Sequence, residues 1–386
     1  MISEFEDIRP YYDSEIGDAM ERIINSPFFG NIVEFLHPGV PVDLIKEQFR
    51  TYKTVHSFQI NVMDAAIQNI IKFTSAGLTH SGIERLDRSK RYLFLANHRD
   101  ILLDSAILQL VLYLNQHETT EITFGDNLMN SQLIIDIGKS NKMFKLVRGG
   151  TSKEIFKNSL CTSKYIRYAI TEKLQSVWIA HRSGRTKDGN DQTLSSVLKM
   201  FRMSGAACFS ECFNELNVAP IVMSYEFEPC DFLKTRELYI TRRQEYVKTE
   251  GEDLNSILTG TKQYKGGIHL AFAEPITLEE LVALDSLPKN DQIQELALIV
   301  DDRIYKNYKL WKTNFIAYDV LYHADSTENY TSKDKADFID YMKKGLSKIE
   351  GDQEELENIF LNIYANPVVN WKRTVEKNLV GIKILT

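Results

Sequence analysis

The sequence predicts an α/β protein: a mixed, largely parallel sheet flanked by helices, with helical additions at both ends. Three observations lead there. Between about residues 81 and 277, short apolar runs of strand length alternate with stretches of helical period. Outside that span, only helical periodicity is found. The chain also has 386 residues, 43% of them hydrophobic and 26% charged, which is enough for a large buried core. The expected plan is a helical region over 1–80, an α/β core over 81–277 and a second helical region over 278–386.

In the first region, segments 43–52 and 55–73 carry apolar residues at three-to-four spacing, and Pro38 and Pro41 break what precedes them. Candidate strands follow at 82–86, 92–96, 122–125, 145–147, 176–180, 218–223, 237–241 and 269–273. Beyond residue 278, segments 291–310, 332–350 and 353–365 are amphipathic, with a short linker at 325–330. The chain shows no internal repeat and no low-complexity tract.

Composition excludes several function classes. A net charge of -7 argues against a nucleic-acid binder held by bulk electrostatics. The start, MISEFEDIRP, is acidic and lacks the basic-then-apolar pattern of a secretory signal, so a cytoplasmic setting is expected. No apolar run reaches the roughly 18 residues of a spanning helix, so membrane contact would be peripheral, on the inner face of the cytoplasmic membrane. Apolar faces within 28–36 and 58–73 can serve such contact, although packing against the core is the commoner fate of such stripes. Cys161, Cys208, Cys212 and Cys230 read as reduced thiols; Cys208 and Cys212 lack the partner pair a metal site needs.

The chemistry concentrates at residues 91–114, RYLFLANHRDILLDSAILQLVLYL. An apolar strand gives way there to a helical pattern through Asn97-His98-Arg99-Asp100, with Asp104 one turn on. His98 therefore sits beyond the carboxyl end of a strand and beside a helix N-terminus, where backbone N–H groups favour developing negative charge. A neutral imidazole there can take a proton from a hydroxyl while a carboxylate holds its other nitrogen. Asp100 fits the helix N-cap, since the periodic run opens at Ile101. Asp104 lies among apolar neighbours where an unpaired carboxylate is costly, and is the favoured partner; Asp100 is the alternative.

Two further strand ends carry cations. Lys145 to Gly150 ends in Arg148 and a double glycine, and a guanidinium beside permissive backbone suits phosphate oxygens. Trp178 to Gly189 runs from an apolar strand into a loop with Gly184, Arg185 and Lys187, the pattern of an anion cradle. His181, in the same loop, reads as structural. Segment 218–226 reads as packing, and 259–267 as a basic loop that either lines an acceptor site or merely connects.

Taken in order, these blocks resemble the phospholipid/glycerol acyltransferase superfamily, which includes lysophosphatidate acyltransferases, over roughly residues 82–276. Asn97-His98-Arg99 with Asp104 is similar to that family's histidine, four residues, aspartate signature. Phe144 to Arg148 resembles its second block, Ser183 to Thr186 its third, usually Glu-Gly-Thr-Arg, and Val218 to Val222 its fourth. Two departures stand out. Five residues separate His98 from Asp104, and Ser183 occupies the usual glutamate position.

The resemblance implies an O-acyltransferase with His98 as general base, supported by Asp104 or Asp100, and with Asn97, Arg148, Gly184, Arg185 and Lys187 at the acceptor. Backbone N–H groups at the start of the following helix would stabilise the tetrahedral oxyanion. Acyl-CoA or acyl carrier protein would be the acyl donor and a phosphorylated glycerolipid the acceptor, with no cofactor, no metal and no nucleic acid involved. A non-catalytic lipid-binding or membrane-scaffold protein on the same fold is the alternative. A hydrolase using His98 toward water is a third reading, though the Gly-x-Ser-x-Gly elbow is missing.

Overall fold

The computed structural model of the chain describes residues 2–37 and 39–384; Pro38, expected to break a helix, lies outside them. Seven strands form one sheet: β1 (Gly77–Ser81), β2 (Leu93–Ala96), β3 (Glu121–Gly125), β4 (Met143–Leu146), β5 (Val177–Ala180), β6 (Val218–Tyr225) and β7 (Gly267–Phe272). Their spatial order is β1-β7-β6-β2-β5-β3-β4. Strand β2 pairs in parallel with both β5 and β6, β5 with β3, and β3 with β4. Only the β6–β7 pair is antiparallel. The mixed, largely parallel sheet is thus observed, and five strands send their carboxyl ends to one edge.

Alternation along the strands fills both faces. Leu93 and Leu95 of β2, Val177 and Ile179 of β5, and Val218 and Val222 of β6 share one apolar cluster. Phe94 and Ala96, Trp178 and Ala180, and Ile221, Met223 and Tyr225 share the cluster on the opposite face. The second face is covered by the Leu103–Leu114 helix, which buries every residue from Leu103 to Leu112. Such a helix is apolar almost all round, as its sequence requires. Residues of β6 with odd numbers therefore point toward the same layer as the start of that helix, a parity that fixes the site described below.

Two expected strands differ. Segment 82–86 holds a short 3-10 turn, Ile83–Arg85, and the strand lies just before it at Gly77–Ser81. Gly82 takes φ +78, which turns the chain out of the strand. Segment 237–241 is the end of the Asp231–Thr241 helix. Its Glu-Leu-Tyr-Ile-Thr run has strand-like composition, yet Leu238 and Tyr239 pack against the C-terminal helices rather than into the sheet.

The N-terminal helices build their own core from residues such as Ile16, Phe29, Val33, Phe49, Phe58 and Val62. The apolar stripes at 28–36 and 58–73 are therefore largely spent on packing, with Phe28 and Phe73 left exposed. The side chain of Phe35 is outside the described set. The C-terminal Gln353–Ile384 helix seats on the loop after β5: Asn366 Nδ2 donates to the Asp188 carbonyl at 2.6 Å, and Asn370 Nδ2 to Asn190 Oδ1 at 3.2 Å. Gly189 makes the approach possible, with φ +77 and space for a Cβ only 2.1 Å from the Ile363 carbonyl oxygen. Gly189→Ala is expected to cost at least about 1–3 kcal/mol. Urea denaturation measures it, and an unchanged midpoint would show that this seat is not what holds the helix.

Candidate active site

Strand β2 ends at Ala96 and the helix begins at Leu103, so residues 97–102 form a short loop at the carboxyl edge. Asp104 organises this loop. Its Oδ2 accepts from His98 Nδ1 at 2.9 Å, from the Arg99 N–H at 2.5 Å and from the Asp100 N–H at 2.9 Å. Its Oδ1 accepts from the Tyr225 hydroxyl at 2.8 Å. The carboxylate is fully buried and accepts hydrogen bonds at both oxygens.

Asp100 does different work. Its Oδ1 accepts from the Leu102 and Leu103 N–H groups at 2.9 and 2.8 Å, capping the helix. Its Oδ2 is buried without a partner, and burial, then the neighbouring Asp104, pushes its pKa up. The structure thus brings Asp104 to His98 and assigns Asp100 to the cap. The N–H groups of Arg99, Asp100, Leu102 and Leu103 are taken by these two carboxylates, whereas the first-turn N–H groups of Asp104 and Ser105 are not.

With Nδ1 directed at Asp104, His98 Nε2 carries no hydrogen bond among the described residues. The imidazole is only 13% exposed. The Trp178 ring stands edge-on to it with centroids 5.5 Å apart. A neutral imidazole of this tautomer presents an unprotonated Nε2 to whatever enters the edge.

Behind the loop lies a buried ion network. Arg99 is fully buried; its Nη2 donates to Asp191 Oδ2 at 2.5 Å and its Nη1 to Glu228 Oε2 at 3.2 Å. Lys234 Nζ donates to Glu228 Oε1 at 2.6 Å and to the Arg99 carbonyl at 2.7 Å. Burial opposes the charge on Arg99, but the two carboxylates more than offset it and hold its pKa well above the usual range. Asn97, expected at the substrate, is instead a buried brace: it donates to Asp191 Oδ2 and the Met223 carbonyl and accepts from the Met223 N–H.

The loop after β5 closes over the same edge. Thr186 N–H donates to the His98 carbonyl at 2.6 Å, and Gly184 takes φ +77 in the turn. Arg185 has a buried Nη1 without an acceptor and exerts its field on Asp100. Ser183 is exposed. Lys187 forms an ion pair with Glu237, so it is not the free cation the sequence suggested. His181 is buried, its Nδ1 3.1 Å from Thr193 Oγ1, and burial holds its pKa down at about 4. Arg148 is exposed, two residues past β4 and opposite Asp126. With strands about 4.8 Å apart, the β2-β5-β3-β4 order sets the strands that lead to His98 and Arg148 roughly 14 Å apart across the edge.

Segment 259–267 is not a loop throughout. It begins in the Glu252–Lys262 helix, and Lys265 is fully buried, donating to Thr74 Oγ1 and the Gln263 carbonyl at 2.9 and 2.6 Å. Burial pushes its ammonium pKa down to about 8 against the opposing pull of Asp100.

Comparison with known proteins came to little at the level of sequence: no family model and no curated protein matches the chain. Among solved structures, the chain is similar to the crystal structure of the 1-acyl-sn-glycerophosphate (LPA) acyltransferase PlsC from Thermotoga maritima. Identity is 12% and the TM-score 0.35, over 74% of this chain and 91% of that one. The reading of the site rests on its own geometry.

Sequence reasoning missed Tyr225, Trp178 and the Arg99 network. Tyr225 closes the 218–225 strand that was read as packing; its odd-number parity with Met223 was the available signal. Two predictions follow from this geometry. Tyr225→Phe leaves Asp104 Oδ1 buried and unpaired and is expected to cost about 1–3 kcal/mol in urea denaturation. His181 titrates near 6.5 when unfolded and near 4 when folded, so its contribution is present above pH 6.5 and is lost as pH falls toward 4. The span corresponds to about 3 kcal/mol. His181→Gln should flatten stability against pH in that window, and an unaltered slope would refute the assignment.

Proposed function

We propose that the protein is an O-acyltransferase that moves a fatty acyl group from a thioester, acyl-CoA or acyl carrier protein, to a hydroxyl of a phosphorylated glycerolipid. The observation that carries the reading is the buried Asp104 carboxylate bonded to His98 Nδ1 at the carboxyl edge of the sheet, with Nε2 left for chemistry. Cations beside that edge supply the second half: Arg185 on the β5 loop and Arg148 beyond β4.

In this reading His98 Nε2 takes the proton from the acceptor hydroxyl as its oxygen adds to the thioester carbonyl carbon. Asp104 stabilises the imidazolium that forms. The tetrahedral intermediate collapses with cleavage of the carbon–sulfur bond, and the imidazolium returns its proton to the departing thiolate. The products are an ester and a free thiol, with no covalent enzyme intermediate. Arg148 holds the acceptor phosphate, and Arg185 together with backbone N–H groups of the helix's first turn is assigned the developing oxyanion. A phosphate on Arg148 and a reacting hydroxyl at His98 require an extended acceptor.

Thiol release from a long-chain acyl-CoA or acyl carrier protein, with and without lysophospholipid and glycerol-phosphate acceptors, tests the proposal. His98→Ala should lower acceptor-dependent release by about 10²–10⁴-fold while the protein stays folded. Asp104→Asn should also be severe, whereas Asp100→Asn, which keeps a cap acceptor, should stay close to wild type. Release without acceptor would indicate a thioesterase, and no release with either donor would favour the non-catalytic lipid-binding alternative.

A further inference from the structure

The carboxyl edge that holds His98 also displays apolar side chains with nothing packed on them. Beyond β4 the chain passes Arg148 and enters the Ser152–Thr171 helix, whose first turns show Lys153, Ile155, Phe156 and Lys157 to solvent. Phe156 is 62% exposed and Ile155 45%. The one carboxylate among them, Glu154, is committed to the helix cap, accepting from the Thr151 N–H and hydroxyl at 2.7 and 2.8 Å. Arg148, Lys153 and Lys157 form no ion pair among the described residues. A protein of net charge -7 thus carries here three cations to two carboxylates, the capping Glu154 and Asp126 opposite Arg148, with Lys153 and Lys157 left unpaired.

A second patch adjoins it. The Glu252–Lys262 helix lies across the edge rather than behind the sheet. Gly260 abuts Asp100, where a Cβ would lie 2.1 Å from Oδ2, and Asp253 Oδ2 accepts from Asn127 Nδ2 at 3.0 Å beyond β3. Seven residues of helix rise about 10 Å, matching the two strand spacings from β2 to β3. Its polarity is the reverse of a soluble surface helix: Ser256, Gly260 and Thr261 face inward, while Leu254 and Leu258, one turn apart, are 56% and 45% exposed. Val247, just before it, is 76% exposed. The two patches meet at Gly125, where a Cβ would lie within 4.0 Å of both Asn127 and Arg148 side chains.

We infer that this face docks on the surface of an anionic phospholipid bilayer, with Ile155, Phe156, Leu254 and Leu258 entering the interface and Lys153 and Lys157 against the headgroups. The inference rests on the proposed function and adds its direction: the edge bearing His98 opens toward the bilayer that supplies the acceptor. Charge complementarity selects an anionic surface. A bilayer also accepts apolar side chains scattered over helix ends, which a protein partner would have to match in shape. No described helix is long and apolar enough to cross a membrane, so this contact is made from one side.

Flotation of the full chain with vesicles of phosphatidylcholine, with and without phosphatidylglycerol, tests it. Wild type and His98→Ala should float equally, only with phosphatidylglycerol, and less at high salt. Lys153→Gln/Lys157→Gln should lower the partition coefficient roughly thirtyfold, at about fivefold per lysine. Phe156→Ser and Leu254→Ser/Leu258→Ser should also detach the protein, whereas Phe28→Ser/Leu44→Ser, which alters another exposed apolar site, should not. No flotation of the wild type, equal flotation of the lysine variant, or loss confined to the Phe28/Leu44 variant would overturn the inference. Flotation is read without turnover, so its failure is distinct from a failure of acyl transfer, which a soluble short-chain acceptor reports separately.

Discussion

The geometry of the site depends on one carboxylate. Asp104 lies at the start of a helix that is otherwise apolar, buried where an unpaired charge would be too costly to keep. Four hydrogen bonds resolve the problem, and each has a structural consequence. The bonds from the Arg99 and Asp100 N–H groups fix the loop after β2, the bond from Tyr225 ties the helix to the end of β6, and the bond from His98 sets the imidazole. The same interactions that make the charge tolerable also choose which histidine nitrogen faces outward. Stability and chemistry are here one requirement.

The ion network behind it extends the argument to three strand ends. Arg99 follows β2, Asp191 lies in the loop after β5, and Glu228 follows β6, with Lys234 on the next helix. Two cations and two carboxylates balance in near-complete burial. Such a cluster contributes little net stability compared with apolar packing, yet removing one member strands the others and costs about 3–5 kcal/mol. Its geometrical effect is to lock the loops on either side of His98 into one relative position. That preorganisation, rather than strength, is the property a proton-transfer site needs.

The sequence disclosed the parts of this arrangement that are local. A strand-to-helix change of period around His98 is visible in two dozen residues, and so is a buried aspartate one turn into the helix. Five residues separate His98 from Asp104, and loop 97–102 brings them together in the Oδ2 to Nδ1 contact. What stayed hidden is long-range. Nothing near Arg99 announces carboxylates 92 and 129 positions away, and Tyr225 at the end of an apolar strand looks like any core aromatic. The misplaced strands have a related cause: Glu237 to Thr241 has the composition of a strand, but its apolar side chains meet helices that come more than 100 residues later. Lys187 looked free for the same reason, because its partner Glu237 lies on that misread segment.

The resulting charge pattern shapes what the edge can hold. Of the cations expected at the acceptor, Lys187 is neutralised by Glu237, which leaves Arg185 and Arg148. Ser183, exposed on the same turn, adds no negative charge beside Arg185. Arg185 keeps an unpartnered Nη1 rather than a rigid ion pair. In the proposed reaction such an edge would place its acceptor mainly through the imidazole at one end, with the two guanidiniums spread from the β5 loop to the end of β4.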